Sequence, residues 1–161
     1  MPQLDGVACL FCRIAARELP SAELYEDERV FAFLDINPLR PGHALVVPKR
    51  HAAKLEDASP EDAAALMLAA RKLGPVLCGL VNSDDALLAI HNGPDAGQEV
   101  PHLHLHLVPR MPSDGGGPIH ALFATRPRPS SEDLNELAMQ VQTALAAPPR
   151  PAAAPAAKGA R

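Results

Sequence analysis

Apolar residues along this chain change their spacing several times, and each change marks an element. CLFCRIAARELP, from Cys9, predicts a short helix that ends before Pro20. AELYEDE and RVFAFLDI alternate or cluster apolar residues and predict the two strands of a hairpin. NPLRPG (37–42) is turn chemistry, and HALVVP is a buried strand closed by Pro48. Ser59-Pro60-Glu61-Asp62 predicts a helix start: a capping hydroxyl, a proline at the first position and acids in the first turn. AAALMLAARKL continues that helix. Gly74-Pro75 is expected to kink or break it and leave VLCGLVN as a second helical piece. LLAIHN predicts a strand, GPDAGQEV a loop and VPHLHLHLVPR another strand. Ser130 to Ala146 predicts a capped amphipathic helix with apolar residues at 134, 137, 138, 141 and 145.

This order predicts an α+β fold, an antiparallel sheet with helices packed on it. The expected organisation is one domain over 1–127, the amphipathic helix over 128–146 and a tail over 147–161. The tail, rich in Ala and Pro, lacks the apolar surface to repay its ordering entropy and is expected to be disordered.

Charge narrows the partners. The formal net charge is −4; from Ala146 onward there are three bases and no acids, so the rest carries 12 − 19 = −7. No whole-chain field attracts nucleic acid. Four Phe, one Tyr and no Trp supply too few stacking platforms for a single strand. No apolar run is expected to be long enough to cross a bilayer. The N-terminus lacks the pattern of a signal peptide, and three cysteines, an odd count, suit a reducing cytoplasm.

The chemistry concentrates in HLHLHLVPR (102–110). Strand geometry puts His102, His104 and His106 on one face and Leu103, Leu105 and Leu107 on the other, which is core. The histidine face must be open or lined with polar partners. A polar outer face with no task is a poor account of three imidazoles in strict alternation. One metal held by all three is opposed by distance, since His102 to His106 spans about 13 Å along a strand and zinc needs nitrogens at about 2.0–2.1 Å. Nucleophilic chemistry by imidazole remains: one ring attacks, a partner orients it, and a neighbour binds an anion or serves a leaving group. The glycines of Gly93-Pro94-Asp95-Ala96-Gly97-Gln98 would let backbone N–H groups approach a phosphate. Asp95 and Glu99 would then have to point away.

These residues resemble a family. HLHLHLV is similar to the signature of the histidine triad (HIT) nucleotide hydrolases and transferases. CLFCRIAARELPSAELYEDERVFAFLDINPLRPGHALVVPKRH and GPDAGQEVPHLHLHLVPR resemble its two halves, so the likeness covers roughly Cys9 to Arg110. The resemblance implies a five-stranded antiparallel sheet with a long helix and a short N-terminal helix packed on it. It implies a homodimer that cleaves adenosine or guanosine conjugates at the α-phosphate. His104 would be the nucleophile, His106 the phosphate-side helper, and His43 the residue completing their network. Asp35 would hold the ribose, although a strand-end acid capping a turn is the ordinary reading of such a residue. Asn92 and Gln98 would contact the nucleotide, and Phe11 and Ile36 would line the base slot with Leu10, Ile14 and Phe33. Where many relatives have Asn-Asn-Gly, this chain has His91-Asn92-Gly93, which is expected to shift leaving-group preference.

Cys9-x-x-Cys12 lacks the following histidine of a haem attachment site and the context of a redox pair, and zinc needs two further ligands. The family's zinc-bearing branch supplies them in the positions of His51 and His102. The resemblance thus implies a closed, structural zinc site of Cys9, Cys12, His51 and His102, with no metal required for chemistry. Cys78 is expected to be buried packing. Two other classes stay open: a scaffold that binds nucleotide without useful turnover, and a zinc-dependent hydrolase.

Overall fold

The computed structural model describes residues 9–146 apart from Phe123 and Arg126. The expected disordered tail therefore lies outside the described residues. The chain divides into two compact units, Met1–Gly115 and Gly116–Arg161.

The first unit runs α1 (Leu10–Ala15), β1 (Glu23–Glu26), β2 (Val30–Leu34), β3 (Ala44–Pro48), α2 (Pro60–Leu80), β4 (Asp85–Ala89) and β5 (Leu105–Arg110). The strands form one antiparallel sheet in the order β1-β2-β3-β5-β4. Alternation in β2 and β3 divides the core in two. Val30, Ala32, Ala44 and Val46 face the stripe Leu66, Ala69, Leu73 and Leu77 of α2. Phe31, Phe33, Leu45 and Val47 pack with Phe11 and Ile14 of α1. The short β1–β2 connection is fixed by Asp27, whose carboxylate accepts the N–H groups of Arg29 and Val30 at 2.8 Å each.

Helix α1 stops earlier than Pro20. Arg17 takes the left-handed conformation (φ 62°), and its guanidinium is tied to Glu23 at 2.8 Å and Glu26 at 2.6 Å. Helix α2 begins as expected: the Ser59 hydroxyl accepts from the Asp62 N–H at 3.1 Å. Asp62 is itself buried, held by the Ser59 hydroxyl at 2.7 Å and the Arg29 guanidinium at 2.9 Å. These two contacts keep its carboxyl below the ordinary range.

Two expectations about α2 are corrected. The helix passes unbroken through Gly74-Pro75. Leu73 precedes the pair and Leu77 and Cys78 follow it, all buried, and their packing outweighs a proline penalty of about 3 kcal/mol. The helix is also long and apolar enough to meet the minimum for a bilayer crossing, with 21 residues and a mean hydropathy of 1.4. Its buried stripe against the sheet accounts for that apolarity as a core helix.

Strand β5 begins at Leu105, three residues past His102. The His102 N–H turns back to the Val100 carbonyl at 2.8 Å, and the Leu103 N–H crosses to Ala52 at 2.6 Å. His102 and His104 therefore sit on an irregular lead-in. The alternation survives: Leu103, Leu105 and Leu107 enter the α2 side of the core, and the histidines lie on the α1 side.

The second unit holds α3 (Ser131–Ala146). Ser130 caps it reciprocally: its hydroxyl accepts from the Asp133 N–H at 3.1 Å and its own N–H donates to the Asp133 carboxylate at 2.9 Å. Leu134, Leu137, Val141 and Leu145 are exposed.

Candidate active site and metal centre

A cavity of about 650 Å³ opens over the α1 face of the sheet. Its apolar wall comes from Leu10, Phe11 and Ile14 of α1 with Phe33 of β2; its polar wall contains His43, His91, His104 and His106. Phe11 is buried and meets the edges or faces of Phe33, His102 and His104, with ring centroids 5.6, 5.9 and 5.2 Å apart. It is at once core and cavity wall. Ile36 lies at the lip, 89% exposed.

Hydrogen bonds fix the proton on each of the three cavity imidazoles His43, His104 and His106. The Nδ1 of His104 lies 2.7 Å from the His102 carbonyl. A carbonyl only accepts, so Nδ1 carries the hydrogen and Nε2 keeps its lone pair. The Leu39 N–H donates to Nδ1 of His43 at 3.1 Å. His43 must then carry its hydrogen on Nε2, which lies 3.0 Å from Nδ1 of His106. That bond makes Nδ1 of His106 an acceptor and leaves its hydrogen on Nε2. Among the described residues this buried Nε2 has no partner. An unmet buried donor costs about 1–3 kcal/mol, and an anionic oxygen would satisfy it.

Burial keeps these rings neutral. It lowers His43 below the ordinary imidazole value against the opposite pull of Asp35, whose carboxylate is 3.6 Å away. It lowers His106 to about 4, helped by the neighbouring His104, His43 and His91. His104 is also lowered by burial, with the bond to the His102 carbonyl acting the other way.

His43 is delivered by a turn only glycine suits. Arg40-Pro41-Gly42-His43 closes with the His43 N–H on the Arg40 carbonyl at 3.0 Å, and Gly42 has φ +81°. A Cβ there would lie 3.2 Å from both Pro109 and Val81. Asp35 caps the next turn through Oδ1, which accepts the Asn37 N–H at 2.8 Å. It also lines the cavity, so the two readings of this acid coexist.

The 91–99 loop differs from expectation. Asn92 is outside the cavity wall; it accepts the Leu55 N–H and donates to Glu56, both at 2.8 Å. The Gln98 amide nitrogen donates to the carbonyls of Ala53 at 2.7 Å and His102 at 3.3 Å. Both act here as staples between the loop and the 53–57 segment. Glu99 does not point away but lines the cavity, as does Gly97 beside His91. Sequence reasoning missed the Leu39 N–H and the carbonyls of His102 and Pro48, because main-chain groups have no residue-type signal.

Cys9, Cys12, His51 and His102 converge, their candidate ligand atoms all within 4.8 Å of one another. Nδ1 of His102 is 3.3 Å from Cys9 Sγ and 3.4 Å from Cys12 Sγ, and Nδ1 of His51 is 3.4 Å from Cys12 Sγ. Tetrahedral zinc, with bonds of about 2.3 Å to sulfur and 2.0–2.1 Å to nitrogen, separates such atoms by about 3.5 Å. The set fits. The fully buried His102 donates Nε2–H to the Pro48 carbonyl at 2.9 Å, which turns the lone pair of Nδ1 toward the cysteines. Burial, with Cys9 beside it, pushes the Cys12 thiol up to about 12; a cation is what such a pair needs to ionise. Asp35, His43 and His106 form a second group within 4.8 Å. There the facing nitrogens of His43 and His106 already share a hydrogen bond.

The comparisons agree with this architecture. The chain is 40% identical over 115 residues to an adenosine 5'-monophosphoramidase of Saccharomyces cerevisiae, covering 71% of this chain and 70% of that one. A crystal structure from Streptococcus mutans superposes with a TM-score of 0.79 at 36% identity, over 89% of this chain and 90% of that one. A zinc-bound histidine triad protein from Mycobacterium smegmatis superposes with a TM-score of 0.66 at 32% identity, over 86% and 99%. The HIT domain model matches residues 16–113, a span that holds His43, His51 and all three histidines of 102–106, and on that match the chain belongs to the HIT domain family.

Proposed function

We propose that this protein is a nucleotide hydrolase or nucleotidyltransferase that cleaves a purine nucleotide conjugate at its α-phosphate through a nucleotidyl-histidine on His104. The observation that carries the reading is the 2.7 Å bond from His104 Nδ1 to the His102 carbonyl. It leaves Nε2 as a neutral nucleophile facing a cavity large enough for a nucleotide. Nε2 attacks phosphorus, the leaving group departs, and water or another acceptor then displaces the nucleotide from the ring. His106 Nε2–H offers a phosphate oxygen the buried donor it lacks a partner for. His43 holds His106 in that tautomer. Asp35 has one oxygen on the 35–37 turn, and the other, 3.6 Å from His43 Nδ1, would accept from ribose hydroxyls. Phe11 and Ile36 flank the base. The family and the phosphoramidase relative support a phosphoramidate or dinucleoside polyphosphate substrate.

Cys9, Cys12, His51 and His102 would hold a zinc ion that supplies no chemistry to the substrate and pins the residues around α1 to the catalytic segment. Four protein donors would complete its coordination and leave no position for an activated water. None of the three cysteines is in a disulfide, in keeping with a reducing cytoplasm. Strand β4 is a sheet edge with Leu87 and Leu88 exposed, and α2 exposes Val76 and Leu80. Pairing of two such edges supports a homodimer, which light scattering would report as twice the chain mass.

Quenched-flow mass spectrometry with an adenosine phosphoramidate tests the reaction. The wild type accumulates an adenylyl increment mapped to His104, and His104→Ala loses it together with roughly 10³-fold or more of the turnover while still binding the product nucleotide. Turnover retained by His104→Ala defeats the proposal; binding with no turnover in the wild type would favour the scaffold.

A further inference from the structure

The cavity contains a fourth imidazole that the mechanism above does not use. Strand β4 pairs with β5 so that Ala89 faces His106, and His91 follows two residues past the end of β4. The His91 ring lies against that of His106, with centroids 5.2 Å apart. Gly97 lies beside it, where an added Cβ would stand 3.6 Å from His91 Nδ1.

The other three rings have their nitrogens assigned. His43 accepts from Leu39 and donates to His106. His104 donates to the His102 carbonyl and keeps Nε2 for attack. His106 accepts from His43 and turns its one N–H toward the phosphate. Neither nitrogen of His91 has a hydrogen-bond partner among the described residues, and the ring is exposed at the cavity wall. The titratable groups sharing the cavity with it are His106 from β5, His104 from the segment before it, His43, Asp35 and Glu99.

Resting on the proposed reaction, we infer that His91 is the acid that protonates the departing atom as His104 displaces it, and that it directs this protein to conjugates with basic leaving groups, amines above all. As the bond from His104 Nε2 to phosphorus forms, the phosphorus–nitrogen bond breaks with its electron pair passing to the amine nitrogen. That nitrogen takes the proton of imidazolium His91 and leaves as a neutral amine. In the second step neutral His91 takes a proton from the attacking water as the bond from phosphorus to His104 breaks. An asparagine in this place donates a hydrogen bond but cannot give up a proton.

Single-turnover rates of adduct formation test this with two substrates: an adenosine 5'-phosphoramidate of a simple alkylamine, and the p-nitrophenyl ester of adenosine 5'-phosphate, whose leaving group needs no proton. His91→Asn and His91→Gln are compared with the wild type, each first shown to melt within a few degrees of it. The expected loss with the amine is about 100-fold or more, the scale of general acid catalysis, and at least tenfold smaller with the nitrophenyl ester. Equal losses on both substrates make His91 merely structural and overturn the assignment, as does no loss on the amine. Absence of any adduct in the wild type with either substrate overturns the parent reaction instead.

Discussion

The main-chain carbonyl of His102 holds Nδ1 of His104 at 2.7 Å, while the ring of the same His102 lies 3.3 Å from Cys9 Sγ. One residue thus belongs to the candidate metal centre through its side chain and orients the candidate nucleophile through its backbone. A disturbance at the cysteines reaches His104 by one peptide unit, although no cysteine lines the cavity.

Cys12→Ser is therefore expected to lose bound zinc, measured by elemental analysis at about one ion per chain in the wild type. The variant should melt several degrees lower and transfer nucleotide at least about tenfold more slowly. A chelator should erode activity and folded structure together. Activity lost well before any structural change, and regained with added metal, would point to a metal in the chemistry and away from a structural ion.

His43→Gln tests the chain from Leu39 through His43 to His106. Glutamine keeps a polar group near His106 but cannot relay the Leu39 N–H into a fixed imidazole tautomer. The Nε2–H of His106 is then no longer enforced. Turnover should fall roughly 10–100-fold, mainly in kcat, because the lost donor acts on charge that grows in the transition state. An unchanged kcat with a raised KM would mean that His43 only shapes the binding site.

Much of this arrangement is legible in the sequence because side-chain types carry it. The alternation from His102 to Leu107 announces two faces, and Leu105 and Leu107 do enter the core. The spacing of Cys9 and Cys12, together with the likeness to zinc-bearing relatives, leads to His51 and His102, and the four converge. The reasoning fails where main-chain groups or packing decide. No residue type marks the carbonyls of His102 and Pro48 that set two tautomers. Gly74-Pro75 carries a strong local break signal that the burial of Leu73 and Leu77 overrides. Asn92 and Gln98 are polar loop residues equally suited to a ligand or to the backbone, and here they hold the 53–57 segment.

Ser59→Ala removes the hydroxyl that accepts the Asp62 N–H and donates to the Asp62 carboxylate. Loss of the cap at α2 should cost about 1 kcal/mol. The carboxylate of Asp62, buried between Ser59 and Arg29, adds to that cost by losing a donor. Urea denaturation should show a lower midpoint with an unchanged slope, and the nucleotide-transfer rate should stay within about twofold, since α2 packs on the opposite side of the sheet from the cavity. A midpoint identical to the wild type would mean that solvent replaces the cap without loss.

Acid should weaken this protein through its buried imidazoles, His106 among them, before its carboxylates are neutralised. Burial holds His106 at about 4 in the folded chain, whereas an imidazole in the unfolded chain titrates near 6.5. Between those values the unfolded state binds the extra proton, so stability rises with pH across that window. The sign follows: above about pH 6.5 the buried neutral ring carries no penalty from protonation, and stability declines as pH falls from there toward about 4. His106→Asn removes this ionisation at the cost of the contact with His43. Urea midpoints at pH 7 and pH 5 separate the two effects. The variant should start below the wild type at pH 7 and lose less than the wild type on going to pH 5. Parallel declines in both proteins would show that His106 is not the group whose protonation opposes folding.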